Sequence, residues 1–169
     1  MIVGYFQSYK YLDLLSVQSI KSYFYLNESE QEYINNFFDD KTYVSLHVRR
    51  TDYLQTPDFH TNQTMDYYNQ AINHFCSIDN ICFLIFSDDI NYCKKTFVSI
   101  PCKFTSNKNY IDLMLMSKCH HNIIANSSFS WWGAYLNENP NKIVIAPKKW
   151  VGGEKLNTND LCPPEWIRI

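Results

Sequence analysis

From Thr42 to Val48 the chain alternates, with Tyr43, Ser45 and His47 interleaved with Val44, Leu46 and Val48, the period of two that marks an extended strand. "ICFLIF" (81–86) and "KIVIA" (142–146) are apolar without alternation, as strands covered by helices on both faces are. "NIIAN" (122–126) is a fourth short β-rich run, and "PCKF" (101–104) a further strand that Pro101 confines to an edge or a strand start. Helix-period segments lie between them: 64–77, 89–99, 109–120 and 128–139. Two more helices are predicted upstream, over 9–24 and 29–39, the second opened by Asn27 or Ser29 with Glu28, Glu30 and Glu32 near its positive end. "VGGEK" (151–155) reads as a surface loop.

Strands alternating with helices predict an α/β fold: a Rossmann-like, mainly parallel sheet flanked by helices. The whole chain, 1–169, is expected to form one domain, with a helical N-terminal segment (1–41) packed on a core spanning 42–169. At 169 residues and 46% hydrophobic the chain has enough apolar material for one such core and too little length for two.

Charge then narrows the function. The formal net charge is -2, so no general field favours nucleic acid or anionic lipid, and any anion site must be local. Lysines outnumber arginines twelve to three, yet Arg49 and Arg50 are adjacent. The six cysteines include no C-x-x-C pair, which argues against a zinc knuckle and for buried thiols in a reducing compartment. The start, "MIVGYFQSYKYLDLL", lacks the basic and apolar regions of a secretory leader. No window approaches about 18 uninterrupted apolar residues. The expected location is therefore cytoplasmic, with any membrane association peripheral.

In an open parallel sheet, ligands bind beyond the carboxyl ends of the strands. Three polar clusters fall there: Arg49, Arg50 and Asp52 after the first strand, Ser87, Asp88 and Asp89 after the second, and Asn126, Ser127, Ser128 and Ser130 after a later one. A guanidinium fork binds phosphate oxygens two at a time. Serines at a helix start either cap it or hold an anion on its positive end. Each cluster also has a plain structural reading: Asp52 pairs with an arginine, the serines and aspartates cap helices, Trp131 and Trp132 fill the core, His47 is a core histidine, and His120–His121 complements a helix C-terminus. Convergence of Arg50, Asp89 and Ser128 on one sheet edge is the arrangement that favours a ligand site.

"HVRRTDY" (47–53), "FSDD" (86–89) and "NSSFSWWGAYL" (126–136), with "GYFQSYKYL" (4–12) upstream and "CPPEWI" (162–167) at the end, together resemble the α-1,2-fucosyltransferase family, glycosyltransferase family 11. The resemblance covers essentially the whole chain. It implies the donor-binding half of a GT-B glycosyltransferase, GDP-β-L-fucose as donor, and inverting transfer of L-fucose to a galactose 2-hydroxyl without a metal or other cofactor. Carried onto these positions, Arg49 and Arg50 hold the β-phosphate, His47 and Asp52 position the arginines and the nucleotide or sugar, Ser87, Asp88 and Asp89 lie by the guanine or ribose, and Asn126, Ser127, Ser128 and Ser130 form the phosphate turn. The chain departs from the family in lacking its glycine-rich N-terminal half, so the general base is unassigned, and a separate N-terminal half or a homo-oligomer is the implied partner, beside nucleotide sugar and glycan acceptor. The rival readings are a non-catalytic nucleotide-sugar-binding module, a metal-dependent transferase using Asp88 and Asp89, and a structural domain.

Overall fold

The computed structural model describes residues 8–12, 15–55, 60–152 and 157–169. Six strands, β1 (Thr42–Val48), β2 (Ile81–Ser87), β3 (Cys102–Thr105), β4 (His121–Ile123), β5 (Val144–Ala146) and β6 (Ile167–Arg168), form one sheet in the order β3-β2-β1-β4-β5-β6. Every pairing is parallel. This is the doubly wound Rossmann-like order, in which strand succession reverses between β1 and β4 and opens a crevice beyond their carboxyl ends. Pro101 does hold β3 at the sheet edge, where its carbonyl still accepts the Phe83 N–H at 2.8 Å.

Strand parity sorts the core. Val44, Leu46 and Val48 face a layer containing Tyr67, Tyr68, Ala71 and Ile72 of α3 (Met65–Asn73) and Cys93 of α4 (Ile90–Thr96). Tyr43, Cys82, Leu84 and Phe86 face the opposite layer, with Leu113–Met116 of α5 (Asn109–Lys118). Ser45 and His47 share parity with Tyr43, so β1 sends two polar side chains into that layer. Ser45 is satisfied there: its hydroxyl accepts from Asn122 Nδ2 at 2.7 Å, and Asn122 Oδ1 accepts from Asn137 Nδ2 at 2.8 Å. These buried hydrogen bonds lock β1, β4 and the exit of α6 (Ser128–Tyr135) together. The close packing of α5 on α6 depends on Gly133, where a Cβ would stand 2.7 Å from Met116 Cβ.

Upstream, the helix predicted over 9–24 is instead a 3-10 turn (Tyr9–Leu12) and a short α1 (Val17–Lys21) whose N-cap is Ser16; residues 13–14 lie outside the described residues. Asn27 caps α2 (Glu28–Phe37) in a reciprocal box with Glu30. The first four residues of "GYFQSYKYL", and the loop from Gly153, also lie outside the described residues.

His120 and His121 follow the C-cap of α5 and are held there by backbone donors. Each Nδ1 accepts a backbone N–H at 3.0 Å, from Tyr43 and Ile143 respectively, which requires that nitrogen to be unprotonated. Burial depresses the His121 pKa in the same sense.

Candidate functional site

The loop that leaves β1 is held by a carboxylate from β2's end. Arg50 N–H donates to Asp88 Oδ1 at 2.9 Å and Thr51 N–H to Asp88 Oδ2 at 3.0 Å, and the Thr51 hydroxyl adds a third bond to Oδ2. Both Asp88 oxygens are thus engaged in shaping the arginine loop. Ser87 Oγ accepts the Asp89 N–H at 2.9 Å, and Asp89 Oδ1 caps α4 through the Tyr92 N–H at 3.0 Å.

The two arginines differ in what they touch. Arg49 Nη2 donates to Asp52 Oδ2 at 2.6 Å, and its Nε lies 3.6 Å from Asp88 Oδ2. That bond raises the Arg49 pKa and lowers that of Asp52. Among the described residues the Arg50 guanidinium faces one carboxylate, Asp89 Oδ2, at 3.6 Å from Nε, a separation too long for a hydrogen bond. Its guanidinium carbon sits 3.9 Å from the centre of the Tyr92 ring, and no hydrogen bond from that guanidinium is made within the described residues. Of the two arginines, Arg50 is therefore the one whose Nη donors make no hydrogen bond within the described residues, while its Nε is buried.

His47 projects toward α6. It is 4% exposed, packs edge-on to Phe129 with ring centres 5.5 Å apart, and its buried Nδ1 has no partner in the described residues. Burial lowers its pKa to about 4, opposed by the charge of Asp88 and assisted by that of Arg49. The ring is neutral at pH 7, and it is far from a satisfied core histidine.

The start of α6 completes the crevice. Ser127 occupies the N-cap position but makes no side-chain cap bond, and the first turn carries no acidic residue. A helix start of this kind, with no side chain on its first-turn amides, is the feature on which anions settle in other proteins. Ser128 is exposed, whereas Ser130 is buried with its hydroxyl directed at the Ala125 and Ser127 carbonyls. Asn126 acts as a staple: Oδ1 accepts from Gln63 at 3.1 Å, Nδ2 donates to the Trp150 carbonyl at 2.8 Å, and its own carbonyl accepts the Tyr53 hydroxyl at 2.8 Å. The Tyr53 bond ties the arginine loop after β1 to the turn after β4. A cavity of about 120 Å³ adjoins Ser128, walled by Tyr11, Leu12, Trp131, Trp132, Trp150 and Leu161.

Arg50, Asp89 and the Asn126–Ser130 turn thus leave the same sheet edge, at and beside the reversal point. Thr51, Tyr53, Gln63 and Tyr92 support this site and carry no sequence signal of their own, because their partners lie 37 or more residues away or across a turn of α4. Among the described residues no three His, Cys, Asp or Glu side chains are grouped to hold a metal ion, and no helix is long and apolar enough to cross a membrane.

The doubly wound sheet thus brings Arg50 and the uncapped start of α6 to the carboxyl ends of its strands, the edge at which sheets of this class bind their ligands. Residues 4–169 match the family model of glycosyl transferase family 11, and the chain belongs to that family. It is 41% identical over 135 residues to an O-antigen biosynthesis glycosyltransferase, WbnK, of Escherichia coli, covering 75% of this chain and 44% of that protein. It is 42% identical over 136 residues to an alpha-1,2-colitosyltransferase of Escherichia coli, covering 75% of this chain and 47% of that one. To human galactoside alpha-(1,2)-fucosyltransferase 1 it is 31% identical over 109 residues, 57% of this chain and 29% of the relative. The chain spans less than half the length of these curated relatives.

Proposed function

We propose that this chain is the donor-binding part of an α-1,2-fucosyltransferase of the GT-B type, which takes GDP-β-L-fucose and transfers L-fucose with inversion to a galactose 2-hydroxyl. The observation that carries the reading is the Arg50 guanidinium, which makes no hydrogen bond within the described residues and follows β1 at the same carboxyl edge of the sheet from which the uncapped α6 starts. Relatives named for α-1,2-colitosyl and α-(1,2)-fucosyl transfer support the linkage and the sugar class.

In the proposed reaction the acceptor oxygen attacks the fucose C1 on the face opposite GDP. The C1–O bond breaks and its electron pair leaves on the β-phosphate. Charge therefore grows on phosphate oxygens, where Arg50 and the α6 amides would stabilise it, a fixed-dipole effect that needs no reorganisation during the reaction. Each charge-assisted hydrogen bond there contributes roughly 1.5–3 kcal/mol. Arg49, shared between Asp52 and Asp88, would hold the loop and add longer-range positive potential. The acceptor proton must leave to a base, and among the described carboxylates at this edge Asp52, Asp88 and Asp89 are already engaged.

A second reading is a donor-binding module without turnover of its own, and the engagement of Asp52, Asp88 and Asp89, which leaves no described carboxylate at this edge as an obvious base, speaks for it. Titration with GDP, GDP-fucose, GDP-mannose and UDP-galactose, with and without EDTA, beside a transfer assay on a lactose-type acceptor, separates the two. Guanine-nucleotide binding with transfer supports the enzyme, and binding without transfer supports the module. Binding lost in EDTA would instead favour a metal-dependent donor site, and no binding at all would remove both readings.

A further inference from the structure

The structure assigns Tyr92 of α4 as a positioning residue for Arg50: its ring is the surface against which the guanidinium is held so that its donors face the crevice. This rests on Arg50 being the phosphate-binding group. The guanidinium carbon lies 3.9 Å from the ring centre, well inside the approximately 6 Å limit for a cation over an aromatic face. Guanidinium donors all lie in the plane of the group. With the ring under the guanidinium carbon, the Nη donors, which make no hydrogen bond within the described residues, are left for a pair of phosphate oxygens, while Nε is buried.

The platform is itself fixed. Tyr92 N–H is bound by Asp89 Oδ1 at 3.0 Å, its carbonyl accepts the Thr96 hydroxyl at 2.8 Å, and the side chain packs on the core layer of α3 and α4. The opposite end of Arg50 is fixed too, by its N–H on Asp88 at 2.9 Å. With backbone and planar head both anchored, less side-chain entropy is lost when an anion arrives. The Asp89 carboxylate cannot replace the ring in this role, because at 3.6 Å it makes no hydrogen bond to Nε and both side chains are about one-third exposed.

The test is a double-mutant cycle on the full chain, with GDP as the calorimetric probe. Tyr92→Leu is expected to weaken GDP binding about five- to tenfold, while thermal midpoint changes by no more than a few degrees. Tyr92→Phe, which keeps the ring face, recovers most of the affinity. In an Arg50→Ala background the Tyr92→Leu loss disappears, because the residue acts through the guanidinium; a merely structural role would persist there. If Tyr92→Leu fails to fold, Tyr92→Met replaces it in the same cycle. Wild-type affinity in the folded ring-less variant, or an equal loss with Arg50 absent, overturns the assignment while leaving the donor site standing. Absence of GDP binding by the wild-type chain overturns both.

Discussion

The backbone N–H of Arg50 is bound by Asp88 Oδ1 at 2.9 Å, so a carboxylate from the end of β2 dictates the course of the loop that leaves β1. Asp88→Ala removes the acceptor for three donors at once, and at 17% side-chain exposure water replaces them poorly. Asp88→Asn keeps one oxygen but turns an amide NH₂ toward a backbone N–H. Both variants should lower the thermal midpoint by several degrees and weaken GDP binding, the alanine more. Unchanged binding with a lowered midpoint would show that the loop shape does not matter to the ligand.

The arginines should separate. Arg50→Lys preserves charge but not the fork, and is expected to weaken GDP binding roughly ten- to a hundredfold. Arg49→Lys should do less to affinity, because Arg49 is already held by Asp52 at 2.6 Å and lies near Asp88. Calorimetry on the two variants side by side checks the order, and a larger loss from Arg49→Lys would reverse the assigned roles.

Acid should destabilise the fold before its carboxylates titrate. His47 has a folded-state pKa of about 4, below the ordinary value near 6.5, so between the two the unfolded chain binds the extra proton. Stability is full above about pH 6.5 and declines as pH falls toward 4, by up to about 3 kcal/mol for this group. His121, depressed by burial, acts in the same direction. Denaturant midpoints at pH 7.5 and 5 measure the drop, and His47→Phe should shrink it; a slope unchanged in that variant would place the proton elsewhere.

Gly133→Ala puts a methyl group 2.7 Å from Met116 Cβ and 2.9 Å from its Sδ. Because the nearest atom is a Cβ, α5 and α6 must part, at about 1–3 kcal/mol. The midpoint should fall by several degrees, with GDP binding weakened as the α6 N-terminus moves. A second change, Met116→Ala, should recover part of the loss.

The fold was largely readable from hydrophobic period. The five strand runs and the helices between them occur in the expected order, because parity and apolar runs report burial directly, but the helices expected over 64–77 and 89–99 end at Asn73 and Thr96 and the strand expected over 122–126 ends at Ile123. Strand β6 escaped notice because Ile167–Arg168 is two residues long and paired only through Ile145 and Ala146. The last predicted helix ends at Tyr135 rather than 139, where Asn137 turns inward to Asn122 and the Cys119 carbonyl, and Lys142 Nζ takes the Ala134 and Asn137 carbonyls. The placement of Arg49, Arg50, Asp89 and the serines directly after strands was legible too. What the sequence could not convey was division of labour: Asp88 as the loop's acceptor, Asn126 as a staple, and Tyr92 beneath Arg50 arise from contacts that exist only after folding.

The central claim, that the crevice between Arg50 and the α6 N-terminus receives the donor's phosphates, is tested most directly by titrating GDP into isotopically labelled chain and following amide and arginine Nε–H resonances. The account predicts saturable shifts concentrated at the Arg50 Nε–H and at the amides of Ser128, Phe129 and Ser130, with UDP producing weaker ones. Shifts clustered at the opposite sheet edge, around His120 and His121, or none at saturating GDP, would contradict it.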